Sequence, residues 1–119
     1  MNKKKFDMRE EIQWTMEYFT ASGEPIGLRV GHRLHHPSGK YIGTFNDEGE
    51  LFNKNGEYIG EVYRNMDAGA FYNRIVVAIS KIGKMGDKLD CADNGGYITQ
   101  GPVKEIAIEE WEYNDFKLS

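Results

Sequence analysis

The chain has 119 residues, of which 39% are hydrophobic, 13% aromatic and 29% charged, which is the size of one domain and too apolar for a disordered chain. Its formal charge is −4, with Glu105, Glu109, Glu110, Glu112 and Asp115 forming a late acidic run, and this argues against duplex nucleic acid, whose binding rests on a basic face. A single cysteine, Cys91, leaves no internal disulfide, and neither a signal-peptide core nor an apolar run near the ~20 residues of a bilayer span is present. Cytoplasmic residence with no membrane partner is the resulting expectation.

Lys3-Lys4-Lys5 is a short terminal basic run, and residues 1–8 are expected to be a solvated, disordered tail. In "EIQWTMEYFT" Ile12, Trp14, Met16 and Tyr18 alternate with polar residues, the period of a half-buried strand. Then comes "ASGEPIGLRV", whose Ser22-Gly23-x-x-Ile26-Gly27 returns as Ser38-Gly39-x-x-Ile42-Gly43 and as Asn55-Gly56-x-x-Ile59-Gly60. The starting glycines lie sixteen and then seventeen residues apart, a repeat too short for a helical solenoid and the right length for a hairpin. A degenerate fourth copy, "NGGYIT", begins at Asn94 and carries Thr99 where the second glycine would stand.

Between the second and third copies, Asp47-Glu48-Gly49 and Lys54-Asn55-Gly56 are turn signals, because glycine and asparagine accept the positive φ of tight turns. They divide the segment into a three-stranded meander with strands at 40–46, 50–53 and 57–63. Strict alternation sets Tyr41, Gly43 and Phe45 on one face, likewise Tyr58, Gly60 and Val62, with Ile42 and Ile59 on the other. Glycine weakens a strand, so its recurrence here predicts a bend, a bulge or a close approach of another group.

"NRIVVAISKIG" is β-branched and apolar on both faces, which marks a central strand. "MGDKLDCADNGG" is a loop by its Asp, Asn and Gly content. In "VKEIAIEEWEYNDF" the residues Val103, Ile106, Ala107 and Trp111 fit a helical stripe, whereas Ile106 and Ile108 alternate as in a strand; strand is the reading adopted, a short helix the alternative. With no long capped amphipathic helix, the fold class expected is mainly β: a curved antiparallel sheet of hairpin repeats in a single domain, residues 22–63 forming its core.

The stretch "SGKYIGTFNDEGELFNKNGEYIGEV" resembles, over roughly residues 38–63, the four-fold β-flower domain family of small bacterial and phage-associated β proteins, whose pattern is a repeated Asn/Ser-Gly-x-x-Ile/Leu-Gly hairpin. The resemblance implies an architecture and no catalytic residue.

Candidate chemistry is sparse. In "HRLHHP" His32 and His36 would share a strand face with His35 between them, and imidazoles bind zinc, copper or nickel, yet no Cys, Asp or Glu stands at a ligand spacing. No metal, cofactor or catalytic residue is therefore assigned, and Cys91 lacks a C-x-x-C partner. Nucleophile elbows, phosphate loops and dinucleotide fingerprints are missing. The five arginines include Arg29, Arg33, Arg64 and Arg74 near predicted strand ends, and Arg binds phosphate or carboxylate through its fixed fork while Tyr stacks on a base. The candidate ligand-binding set is Arg33, His35, Arg64, Tyr72, Arg74 and Tyr97. Together these readings give the expectation of a non-enzymatic homo-oligomer that captures a small anionic molecule, such as a nucleotide signal, in the manner of a phage anti-defence sponge. The alternative is an interaction module docking a partner protein through the aromatic row Tyr41, Phe45 and Tyr58.

Overall fold

The computed structural model describes residues 16–64, 73–86 and 103–118. Within them eight strands follow one another: β1 (Met16–Thr20), β2 (Pro25–Val30), β3 (Arg33–His35), β4 (Tyr41–Phe45), β5 (Glu50–Phe52), β6 (Tyr58–Val62), β7 (Arg74–Ala78) and β8 (Tyr113–Asp115). Each pairs antiparallel with the next, and β1 also pairs parallel with β7 through Phe19↔Arg74 and Thr20↔Ile75. Strands β1 to β7 therefore close into a seven-stranded barrel, and β8 continues alongside Val76–Ala78 where β1 leaves off. The expected mainly β, curved antiparallel sheet is what forms, and β7, paired with β6, β1 and β8, is the central strand expected of "NRIVVAISKIG", although it stops at Ala78 and Ile79–Lys81 form a 3-10 turn.

Each motif copy builds the same hairpin. At the turn, Gly23, Gly39 and Gly56 take positive φ, and paired backbone hydrogen bonds close it, as in Asn53 N–H to Glu57 O at 2.9 Å and Gly56 N–H to Asn53 O at 2.9 Å. The β4–β5 turn repeats this scheme with Gly49 at φ 82°. The first residue of the turn steadies it: Asn46 Oδ1 accepts from the N–H groups of Glu48 and Glu50, and Asn53 Oδ1 from those of Asn55 and Glu57.

The second half of the motif is a bulge. Tyr18 faces Gly27 while Phe19 faces Pro25, so Ile26 is an extra residue; Leu34↔Gly43 beside His35↔Tyr41 leaves out Ile42, and Leu51↔Gly60 beside Phe52↔Tyr58 leaves out Ile59. Every Ile-Gly pair thus stands opposite one large residue of the preceding strand, which bends the strand and sharpens its twist. The bulge also corrects the strict alternation read from the sequence. Ile26, Ile42 and Ile59 join or pack against the same interior cluster as Tyr18, Leu34, Phe45, Leu51, Val62, Ile75 and Phe116, because a bulge resets the side-chain period.

The glycines inside the bulges are sterically required. A Cβ on Gly27 would stand 2.1 Å from His35 O, one on Gly43 2.7 Å from Phe52 O, and one on Gly60 3.0 Å from Ile75 Cγ2 and from Val76 O. Interior side chains then fill the barrel tightly, with Ile26, Leu34, Leu51 and Ile75 at 0% exposure. One interior group is charged: the Arg29 guanidinium lies 4.3 Å above the Phe45 ring centroid and donates to Tyr18 Oη at 3.0 Å and to Gly31 O at 2.7 Å.

Outside the barrel, the chain from Val103 runs extended over Ala21, Tyr63 and Val76. Val103 N–H donates to Gly23 O and Ile106 N–H to Ala21 O, while Ile106, Ile108 and Tyr113 form an outer apolar layer. Residues 103–109 take neither the strand adopted from the sequence nor the helical alternative; strand forms later in the segment, as β8, and Trp111 of the helical stripe is 79% exposed. Asp115 pins the layer by accepting from Ala21 N–H at 2.7 Å and Ser22 N–H at 3.1 Å. The predicted strand segment 12–15, the loop from Asp87 and the degenerate fourth repeat lie outside the described residues.

Alanine substitutions rank the bulge glycines against an open position. Gly27→Ala is expected to cost about 3 kcal/mol or prevent folding, since only backbone movement relieves the clash, whereas Gly31→Ala, with nothing within 4 Å but φ +63°, costs about 1 kcal/mol from backbone strain alone. Urea unfolding followed by circular dichroism reads the order; equal costs would refute the packing account.

Candidate functional site

A depression of about 670 Å³ lies between the tips of hairpins β3–β4 and β5–β6, strand β7 and the C-terminal segment 116–118. Its volume is in the range of small-molecule sites. The bulges shape its floor, because Ile42 and Ile59 turn toward it together with Val77 and the ring of Phe116. Ile82 and Leu118, 62% and 43% exposed, extend the apolar wall outward.

Polar groups ring this floor: His36, Ser38, Lys40, Asn53 and Lys117, of which Lys40 and Lys117 are exposed. Among the described residues no carboxylate side chain lines the groove, although the chain as a whole carries −4. His36 Nδ1 accepts from Ser38 N–H at 3.1 Å and lies 3.0 Å from Ser38 Oγ, so this nitrogen is engaged by its own turn. Asn53 is occupied by its turn. Tyr41 is half-buried, hydrogen-bonded to the Thr44 hydroxyl and packed against the edge of His35.

The sequence-chosen residues divide. His35 is buried, paired with Leu28 and Tyr41 on β3, and Arg74 is buried with its Nη1 donating to the carbonyls of Thr20 and Ala21 at 3.4 and 3.3 Å. Burial lowers the Arg74 guanidinium from its usual value, with Asp115 opposing. Arg33 and Arg64 are exposed near the β4–β5 turn: Arg33 pairs with Thr44, and the Arg64 guanidinium reaches over Gly49. None of these four lines the groove. Tyr72 and Tyr97 lie outside the described residues. Of the groove residues, Lys40 and Lys117 carried no sequence signal, His36 entered as a metal candidate rather than a ligand contact, and Ile42 and Ile59 read as facing the other way.

Two further expectations change. Tyr41, Phe45 and Tyr58 form no exposed row, since Phe45 is interior at 2% exposure and Tyr58 is covered on the outside at 7%. His32 and His36 share no strand face either, because β3 spans only Arg33–His35 and they belong to the turns on either side. No group of three or more metal-ligating side chains occurs among the described residues.

The most strongly perturbed groups sit elsewhere, on the outer face of β5 and β6. Glu50 and Glu61 are direct cross-strand partners, a like-charge pairing that would be unfavourable alone. Lys81 stands between them, 2.8 Å from Glu50 Oε2 and 2.8 Å from Glu61 Oε1, and Lys84 adds a contact to Glu50 at 3.0 Å. The Lys81 hydrogen bond, against the opposing effect of burial and with help from Lys84 and Asn46, holds the Glu50 carboxyl at about 2. For Lys81 burial works downward but is outweighed by the two carboxylates, leaving the ammonium raised. Tyr58 Oη accepts from Ala78 N–H and donates to Glu61, and burial pushes its ionisation up. With every group committed to another, the cluster reads as a clamp holding residues 79–86 on the sheet.

Because the folded Glu50 carboxyl sits near 2, below its ordinary 4.5, its contribution is fully present above 4.5 and disappears as the pH falls toward 2. Glu50→Gln is expected to cost about 2 kcal/mol at neutral pH and to flatten the acid limb of the stability curve, measured by urea midpoints across that interval; an unchanged acid limb would show that Glu50 is not the group responsible.

No protein-family model, curated protein or solved structure matches the chain, so the fold and the groove stand on the residues themselves.

Proposed function

We propose that the protein is a non-enzymatic binding protein whose groove holds a small anionic molecule with an apolar or aromatic body, a nucleotide being one such molecule. The observation that carries this reading is the sign of the groove: in an acidic chain, it is a depression with two exposed lysines, a histidine and, among the described residues, no carboxylate side chain. The isoleucine floor takes the body of the ligand, and Lys40 and Lys117 meet its charge with the salt dependence of exposed ion pairs. Ile82 and Leu118 at the outer wall supply apolar surface for a second copy, so the proposal retains a homo-oligomer with the groove near the contact.

Native mass spectrometry of gently purified protein gives subunit number and any co-purifying mass together. In solution, anilinonaphthalene sulfonate and adenosine monophosphate serve as small anions with aromatic bodies. Saturable binding of at least one is expected, with the double variant Lys40→Glu/Lys117→Glu weakening it about tenfold or more while the far-ultraviolet spectrum is unchanged. Equal affinity in the variant would remove the groove as the site.

A further inference from the structure

Trp111 is 79% exposed, the most exposed of the large hydrophobic residues described. A tryptophan left in water on a loose loop would need no account, but the backbone that carries this one is hydrogen-bonded on both sides. It sits on a turn fixed by Glu112 N–H to Glu109 O at 3.0 Å and Tyr113 N–H to Glu109 O at 2.9 Å. The next residue anchors the turn to the barrel, since Ile79 N–H donates to Glu112 O at 2.9 Å. Beneath it Tyr113 packs edge-on against the buried Tyr63 ring at 5.3 Å between centroids, and Tyr63 Oη donates to Glu109. The indole is therefore displayed on a preorganised support, the condition under which an exposed aromatic becomes a binding anchor.

Beside it lies a depression of about 360 Å³ whose lining includes Ile79, 40% exposed, together with Glu61, Lys81 and Glu112. Lys81 is already held by Glu50 and Glu61, so it adds little free positive charge. From Glu105 to Asp115 the chain carries five acidic residues and no basic one, and Glu110 and Glu112, flanking the indole, are both exposed. An apolar anchor flanked by the exposed carboxylates of Glu110 and Glu112 complements a guanidinium or ammonium lying on the indole face with its charge met at the rim.

We propose that this surface docks an arginine- or lysine-rich segment of a partner protein, one side chain stacking on Trp111 and its neighbours meeting Glu110 and Glu112. A peptide fits better than a lone amine because the carboxylates flank the indole on both sides in sequence and serve several cations at once. This inference is independent of the groove, whose charge has the opposite sign and whose lining shares no residue with this depression.

Fluorescein-labelled octa-arginine is the probe, with octa-glutamate as the control, titrated into the full chain by anisotropy at low and at physiological ionic strength. Saturable binding of octa-arginine alone is expected. Trp111→Ala should weaken it about tenfold, and Glu110→Lys/Glu112→Lys at least as much, each with unchanged circular dichroism because these side chains are exposed. Asp47→Lys, on the exposed β4–β5 turn, should have little effect. The proposal is overturned if octa-arginine does not bind at low salt, if Trp111→Ala binds as well as the parent, or if Asp47→Lys weakens binding as much as the Glu110/Glu112 change, since each would leave only diffuse attraction between opposite charges.

Discussion

The structure depends on fitting two residues opposite one. In three successive hairpins an Ile-Gly pair faces a single large residue, Tyr18, Leu34 or Leu51, and the carbonyl or side chain beside each glycine leaves no room for a Cβ. A small barrel needs strong coiling, and a regular pleat resists it. The bulge supplies the bend, and the glycine lets the neighbouring strand approach closely enough for the bend to be packed. The isoleucine released from the ladder then fills the space produced inside.

From that constraint the rest follows in layers. Bending carries the sheet far enough round for β1 to meet β7 in parallel, so a chain of antiparallel hairpins closes on itself. Closure buries the interior aromatics and Arg29, and it leaves Ile42 and Ile59 partly uncovered between two hairpin tips, which is where the groove lies. The outer faces are treated differently on each side: an apolar strip from Val103 onward covers Val76 and Tyr63, whereas lysine-bridged carboxylates hold residues 79–86 over Phe52. Opposite charges thus sort to different parts of one small molecule, with cations at the groove and anions around Trp111.

Much of this was legible in the sequence. The turn glycines, the repeat spacing and the meander boundaries follow from local backbone preference, and local rules survive into the fold unchanged: 40–46, 50–53 and 57–63 became β4, β5 and β6 with ends trimmed by a residue or so. The glycine-rich strands were recognisable as bent. What alternation could not provide was the side to which Ile42 and Ile59 turn, because a bulge changes the period at a point the pattern itself does not mark. The groove was illegible for that reason, and also because Lys40 and Lys117 come together only after closure. Arg74 and His35 attracted notice by residue type, yet their neighbours in space bury them, a property no short stretch of sequence reveals.

The parallel seam has a consequence for how the molecule comes into being. Hairpins assemble from neighbours in sequence, but Arg74 reaches Thr20 across a separation of 54 residues, and Asp115 reaches Ala21 across 94. A chain emerging from the ribosome therefore makes its hairpins early and holds β1 with one ladder edge unfilled until β7 arrives, and Ala21 without its carboxylate acceptor until Asp115 follows. Long-range pairing of this kind slows folding and leaves unpaired strand edges available to other chains in the interval. The arrival of β7 and then of Asp115, rather than the formation of the repeats, is the step that fills the open edge of β1.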